Sequence, residues 1–277
     1  MTRILVAGAA SWNRMVVLDA LPEPRPHMEF ARDWFDTLGG TSAGKALHLH
    51  GLGRDVVLDA LVGPDDAGGH IRRALERAGV TTRLHSAAQS EQHLNLMTLE
   101  GARLSLYLAT PEQPEATATA PGVLDEVGLA VLDLAPRSAQ LLAPAAERGI
   151  PIWTDLHDYD GESVFHRPFL EAAEVVFMNG DRTDDPWELL ARCVDAGPQL
   201  AICTLGAEGA IALDSSGTRA STPAMPAEVI DTNGAGDAFF AGFLDAWLRD
   251  AELASALQSG ARQAVVALGS RHLHPSL

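Results

Sequence analysis

The residues best placed to do chemistry are in one stretch near the C-terminus, Asp231-Thr232-Asn233-Gly234-Ala235-Gly236-Asp237, followed by Ala238-Phe239-Phe240-Ala241-Gly242. The small residues at 234–236 let the backbone turn tightly and leave its N–H groups uncovered. The apolar run from Ala238 predicts a helix, with Phe239, Phe240, Phe243 and Trp247 spaced to share a buried face. A glycine-rich turn that opens a helix is an anion site, because orphan amides and the positive end of the dipole point the same way. Asp237 sits at that mouth. Bound phosphate would repel a carboxylate there, so its use is chemical: taking the proton of an attacking hydroxyl. With the amides of Gly234, Ala235 and Gly236 around the transferring group, the pattern describes phosphoryl transfer to an alcohol. The competing reading is a glycine-rich helix cap with a solvated aspartate, which a bare G-x-G-D would fit as well.

Such a turn needs elements to hold it. Short apolar runs at 4–8, 56–62, 129–134, 150–155, 174–179 and 200–205 read as buried strands, and helical patterns occupy 42–52, 68–78, 137–148 and 186–196. Alternation of this kind predicts an α/β fold with a mostly parallel sheet covered on both faces, its ligands at the carboxyl ends of the strands. Two segments break the alternation. Residues 13–38 are Pro-rich with a strand-like start, and 85–110 carry alternating stretches such as Leu94-Asn95-Leu96-Met97-Thr98 and Leu104-Ser105-Leu106-Tyr107-Leu108. They predict a small second sheet emerging from a single domain of 1–277. Residues 111–121, rich in Pro, Ala and Thr, read as a loop.

The 277 residues, 47% hydrophobic and 21% charged, are those of a globular enzyme able to bury a substantial core. A net charge of −17 argues against nucleic acid as a partner, since a binder needs a basic face. No apolar run is long enough to span a membrane, and the opening residues read as a strand rather than a signal segment. Cys193 and Cys203 have no metal-type pairing, which fits a reducing cytoplasm. Lys45 is the only lysine among twenty Lys and Arg residues.

The stretch from Asp231 to Asp237 resembles the D-T-x-G-A-G-D signature of the ribokinase-like, PfkB-type carbohydrate kinases, and other matches follow in order along the chain. Gly39-Gly40-Thr41-Ser42-Ala43-Gly44-Lys45-Ala46 resembles the N-terminal family signature. Gly63 to Gly68 is similar to its G-x-D-x-x-G turn, and Asn179 takes the place of the asparagine in N-x-x-E. Thr204 to Ala210 resembles the strand-turn-strand that approaches the nucleotide. The resemblance implies a three-layer α/β/α fold in which the small sheet is a lid over the sugar site. It implies ATP and Mg²⁺, nucleotide contacts at Asn179, Thr204, Gly206 and Gly209, and a monovalent-cation site near Asp231 and Thr232, hence potassium activation. Acceptor contacts would fall at Asn13, Gly39, Gly40, Gly44 and Lys45, and the lid is the candidate surface for a homodimer. Three positions depart from the family pattern: Asn13 stands where an aspartate grips substrate hydroxyls, Gly44 replaces an asparagine, and Arg182 replaces the glutamate of N-x-x-E, with Asp181 beside it.

Gly39 to Ala46 also approaches a P-loop, but Ala46 lacks the hydroxyl and residues 31–36 are not an apolar strand. Lys45 and Arg14 have two readings each, an anchor for an anion on the acceptor or a solvated surface cation. Asp155, His157, Asp158 and Asp160 cluster after a strand without diagnostic metal spacing, so the metal ligands stay unassigned; the resemblance places Asp155 near the nucleotide phosphates. The function expected is an ATP-dependent kinase acting on a hydroxyl of a small sugar-like acceptor. The alternative, raised by Asn13, Gly44 and Arg182, is a weakly active or inactive nucleotide- or sugar-binding regulator on the same fold.

Overall fold

A computed structural model describes residues 2–99, 101–112 and 122–277. Most of the loop expected at 111–121 lies outside the described residues. Strands β1 (Arg3–Ala7), β4 (Val56–Val62), β5 (Thr81–Ser86), β8 (Val127–Leu132), β9 (Ile152–Asp155), β10 (Val175–Asn179), β11 (Leu200–Thr204), β12 (Ala210–Asp214) and β13 (Arg219–Thr222) form one nine-stranded sheet in the order β13-β12-β11-β10-β9-β8-β1-β4-β5. All neighbours are parallel except β11–β12 and β12–β13.

Alternate residues of the strands feed two cores. Ile4, Val6 and Leu58 pack with helices α1 (Thr41–Gly51), α2 (Asp66–Arg77), α6 (Ala235–Trp247) and α7 (Leu253–Leu268). Leu5, Ala7 and Val57 pack on the other face with α3 (Pro136–Glu147), α4 (Arg167–Ala172) and α5 (Pro186–Asp195). Strands buried on both sides need no polar alternation, which is why they read as continuous apolar runs. Helices α6 and α7 approach closely where Gly242 faces the backbone of Ser259 and Gly260 faces Phe239.

The four remaining strands make a separate sheet in the order β3-β2-β6-β7, from β2 (Ser11–Leu18), β3 (Asp33–Gly39), β6 (Glu91–Thr98) and β7 (Arg103–Ala109). Only β2 and β6 are parallel. One face is buried and polar: Asn13 pairs across the strands with Thr37 and His93, and all three are buried. The other face exposes Arg14, Trp34, Leu104 and Leu106. Residues expected to start this sheet at 85 instead end β5, because they pair in parallel with β4 at the edge of the large sheet. Helices α4 and α7 and strands β5 and β13 escaped the sequence reading.

Candidate active site

Strand β3 ends at Gly39, and Gly40, with φ of 94°, turns the chain directly into α1. That turn places Thr41, Gly44 and Lys45 over the carboxyl ends of β8 and β9, where Asp133 and Asp155 stand. Helix α6 enters from the side: its N-cap Gly234 is left-handed, with φ of 80°, and Asp237 lies in its first turn. The first amides of a helix have no acceptor within it, so this turn presents donors and a partial positive charge. At Gly236 a Cβ would meet nothing within 4 Å, so the approach to those amides is open.

These elements converge on one ammonium. Lys45 Nζ lies 3.0 Å from Asp133 Oδ1, 3.1 Å from Asp155 Oδ2 and 3.2 Å from Asp237 Oδ1. It donates to Thr41 Oγ1 at 2.6 Å, and the Thr41 hydroxyl donates in turn to Asp237 Oδ1. Ser42 Oγ donates to Asp133 Oδ2 at 2.6 Å, and the amide of His157 donates to Asp155 Oδ1 at 2.9 Å. The ring of Phe240 closes the far side, 5.1 Å from Nζ. Lys45 is 0% exposed. It is therefore neither an anchor reaching into acceptor space nor a solvated helix lysine; three carboxylates and a hydroxyl enclose it.

Burial alone would lower the Lys45 pKa, but the charges of Asp133, Asp155 and Asp237 outweigh it and hold the ammonium above its usual range. Burial also opposes ionisation of Asp155, yet His157 and Lys45 beside it keep its carboxyl below the usual carboxylate range. At Asp237 burial prevails: together with repulsion from Asp155 and Asp133, it raises the pKa against the pull of Lys45 and Thr41. A carboxylate poised in this way is suited to accepting a proton.

The other residues singled out from the sequence fall around this centre. The Asn13 side chain takes a hydrogen bond from Ser11 Oγ at 2.7 Å and fills the space a Cβ on Gly39 would need, two residues before Thr41. Arg14 points to the outer face, where Asp36 accepts from its Nε and Nη2 at 2.8 and 2.9 Å. With Lys45 enclosed as well, the case for an anionic acceptor loses both of its cations. Asp231 is buried and accepts from the Asn233 amide at 2.8 Å; burial raises its pKa. Thr232 lies beside Gly101, next to the small sheet. The amide of Ala235 reaches the Thr232 carbonyl at 3.4 Å. At the ends of β10 and β11, Asn179 Oδ1 accepts from the Asp181 amide at 3.0 Å and Thr204 Oγ1 donates to the Met178 carbonyl at 3.4 Å. Gly206 and Gly209 take φ of 56° and 103° in the turn to β12, conformations that favour glycine.

Two members of the cluster were missed. Asp133 gives a usable signal, a lone carboxylate ending an apolar strand of a parallel sheet, where ligands collect. Thr41 has none beyond its place in a glycine-rich turn.

A model of the pfkB family of carbohydrate kinases matches residues 169–276. An ATP-dependent ribose-1-phosphate kinase of Halopiger xanaduensis is 32% identical over 93% of this chain and 89% of its own length. The chain belongs to the pfkB family of carbohydrate kinases. An acarbose 7(IV)-phosphotransferase of an Actinoplanes species is 29% identical over 94% of the chain and 90% of its own length. Among solved structures, a microbiome-derived acarbose kinase superposes with a TM-score of 0.85 at 27% identity, covering 97% of this chain and 93% of that one.

Within this family member, the three departures have distinct surroundings. Asn13 is buried against Gly39, Gly44 lies against Asp237, and Arg182 sits 3.8 Å from both Asp158 and Asp160 on the surface. Arg182 therefore faces the loop after β9. Among the described residues, no group of three or more His, Cys, Asp or Glu side chains is arranged to hold a metal ion.

Proposed function

We propose that this protein transfers the γ-phosphoryl group of ATP to a hydroxyl of a small neutral sugar-type acceptor. The observation that carries the reading is Asp237, a buried carboxylate of raised pKa in the first turn of α6, beside the glycine turn at 234–236, which is open at Gly236. In the step inferred, the acceptor oxygen attacks the γ-phosphorus, the bond to the leaving ADP breaks, and the hydroxyl proton passes to Asp237. The amides of Gly234 and Gly236, joined by that of Ala235 once it leaves its long contact with the Thr232 carbonyl, would meet the charge on the transferring group. Asn179, Thr204, Gly206 and Gly209 border the nucleotide at the ends of β10 and β11. ATP use draws support from relatives and neighbours described as ATP-dependent or solved with ATP or ADP.

Mg²⁺ would come with the nucleotide, whose phosphate oxygens would supply most of its ligands, and would offset phosphate charge there. Asp231, buried with one oxygen left over by the Asn233 amide, fits a monovalent cation such as potassium. The exposed apolar face of the small sheet is the surface on which a homodimer would form.

For the acceptor, the buried face of the small sheet offers Asn13, His93 and Asn95, neutral amides and an imidazole in place of a gripping carboxylate. Beyond them, a cavity of about 270 Å³ opens toward Phe35, Met97, Ile230 and Arg271. This favours an acceptor longer than a free pentose, in keeping with relatives named for acarbose. The test is ADP release with ATP and a panel of acarbose, malto-oligosaccharides, nucleosides, ribose 1-phosphate and ribose. Turnover best with an oligosaccharide supports the reading; turnover best with ribose overturns the acceptor assignment. ATP binding without turnover of any acceptor overturns the kinase reading and favours a binding protein.

A further inference from the structure

The only lysine in the chain is fully enclosed, and every other member of its twenty Lys and Arg residues is an arginine. The reason is geometric. A guanidinium is a planar fork that meets one carboxylate edge-on, whereas an ammonium is a compact charge that can be surrounded. Here Asp133, Asp155 and Asp237 approach the same nitrogen from three elements, within 3.0–3.2 Å, and Thr41 takes a fourth direction.

Both ligands that fix Asp237, the Thr41 hydroxyl and Lys45 Nζ, act on its Oδ1. The other oxygen, Oδ2, faces the bare α-carbon of Gly44. We propose that Lys45 is a positioning residue for Asp237: its ammonium, shared with Asp133 and Asp155, pins the Oδ1 edge of the carboxylate and leaves Oδ2 as the atom that takes the acceptor's proton. Lys45 touches no reacting atom in this role. Three carboxylates around one cation leave an excess of negative charge, so protonation of Asp237 answers to both kinds of neighbour. The charged groups facing Asp237 are Lys45 from α1, Asp133 after β8 and Asp155 at the end of β9, the last of these in contact with His157.

The inference rests on the kinase reading, and its test has one arm that needs no turnover. Because there is one lysine, protein grown on ζ-¹⁵N-lysine gives one side-chain ammonium resonance. That resonance should shift through a step as Asp237 ionises, and the step should vanish in Asp237→Asn. Persistence of the step in Asp237→Asn, or no step at all, overturns the linkage. Failure of the wild type on every acceptor would sink the kinase reading instead, leaving this titration to decide the linkage.

With turnover in hand, Lys45→Met should lower kcat by about 10–10²-fold, the cost of a loosened catalytic group. It should move the acidic limb of the kcat profile up by about one pH unit or more, because a cation that favoured the carboxylate is gone. KM for acceptor and for ATP should stay within about twofold, since a positioning residue binds neither substrate. Should Lys45→Met fail to fold, Asp133→Asn decides the matter: it keeps the ammonium, removes one repelling charge and should move the limb down. A limb unmoved in the variant that folds, or a rise in acceptor KM alone, would overturn the proposal and make Lys45 a binding or purely structural residue.

Discussion

The position a Cβ would occupy on Gly44 lies 2.7 Å from Oδ2 of Asp237, so helix α1 is bare where the candidate base leans on it. The contact explains why an asparagine, expected there from the family resemblance, is absent: no side chain fits while Asp237 stays bound to Thr41 and Lys45. Gly44→Ala should therefore push the carboxylate off its two partners. We expect kcat to fall by about 10–10²-fold, while overpacking costs about 1–3 kcal/mol of stability. Urea unfolding and steady-state rates on the same sample check both numbers; an unchanged kcat would mean that the seat of Oδ2 is immaterial.

Asp237→Asn is close to isosteric and should leave the fold and nucleotide affinity intact. Turnover should drop by about 10²–10⁴-fold, the usual worth of a positioned general base. In the wild type the base works deprotonated, and burial raises its pKa. Activity should accordingly be lost as pH falls through a midpoint above the ordinary carboxylate range, and the residual activity of Asp237→Asn should lack that limb. A pH-rate profile of both proteins decides it.

Local patterns were legible and long-range ones were not. The glycine turn and Asp237 lie within seven consecutive residues, so spacing alone singled them out as the candidate anion site and base. Alternation exposed the small sheet, but not which face of β2 turns inward; Asn13 shares a face with Thr37 and His93, and that face is the buried one. Lys45 was misplaced for a similar reason. Its partners sit 88, 110 and 192 positions away, and only the strand order that puts β8 and β9 beneath α1 brings them together. A lysine on a helix looks solvated until its cage is known. The last two residues of the edge strand β5 were joined to the second sheet, because Thr81–Ser86 at the rim lacks the apolar run that marks the inner strands.

At Gly236 the expectation runs the other way. A Cβ there meets no atom within 4 Å, so Gly236→Val should fold with a stability change of less than about 1 kcal/mol. The branched side chain would nonetheless stand in front of the α6 amides. We expect ATP KM to rise by about tenfold or more and kcat to fall, since a removed phosphate contact is a charge-assisted one. Normal kinetics in a folded Gly236→Val protein would place the phosphate elsewhere.

Acid should weaken the protein through a histidine remote from the chemistry. His48 of α1 is 0% exposed; its Nε2 meets the Leu273 carbonyl at 2.8 Å and its Nδ1 meets Gln263 Nε2 at 2.9 Å. With Nε2 donating and Nδ1 accepting, both partners are satisfied by the neutral ring, and a proton on Nδ1 would face a donor. Burial, with the nearby His274, lowers its pKa from 6.5 to about 4. Between those values the unfolded chain binds a proton that the folded chain refuses, so stability rises with pH across this window. The contribution is fully present above the unfolded value, erodes as pH falls below it, and is spent near pH 4. From pH 7 to pH 5 the loss amounts to about 2 kcal/mol by linkage. His166, His272 and His274 are lowered as well and add in the same direction, so the wild type alone cannot assign the loss. His48→Gln should be less stable at pH 7 yet lose about 2 kcal/mol less than the wild type on going to pH 5. Urea unfolding of both proteins at the two pH values gives that double difference, and a value near zero would mean that His48 protonates in the folded state.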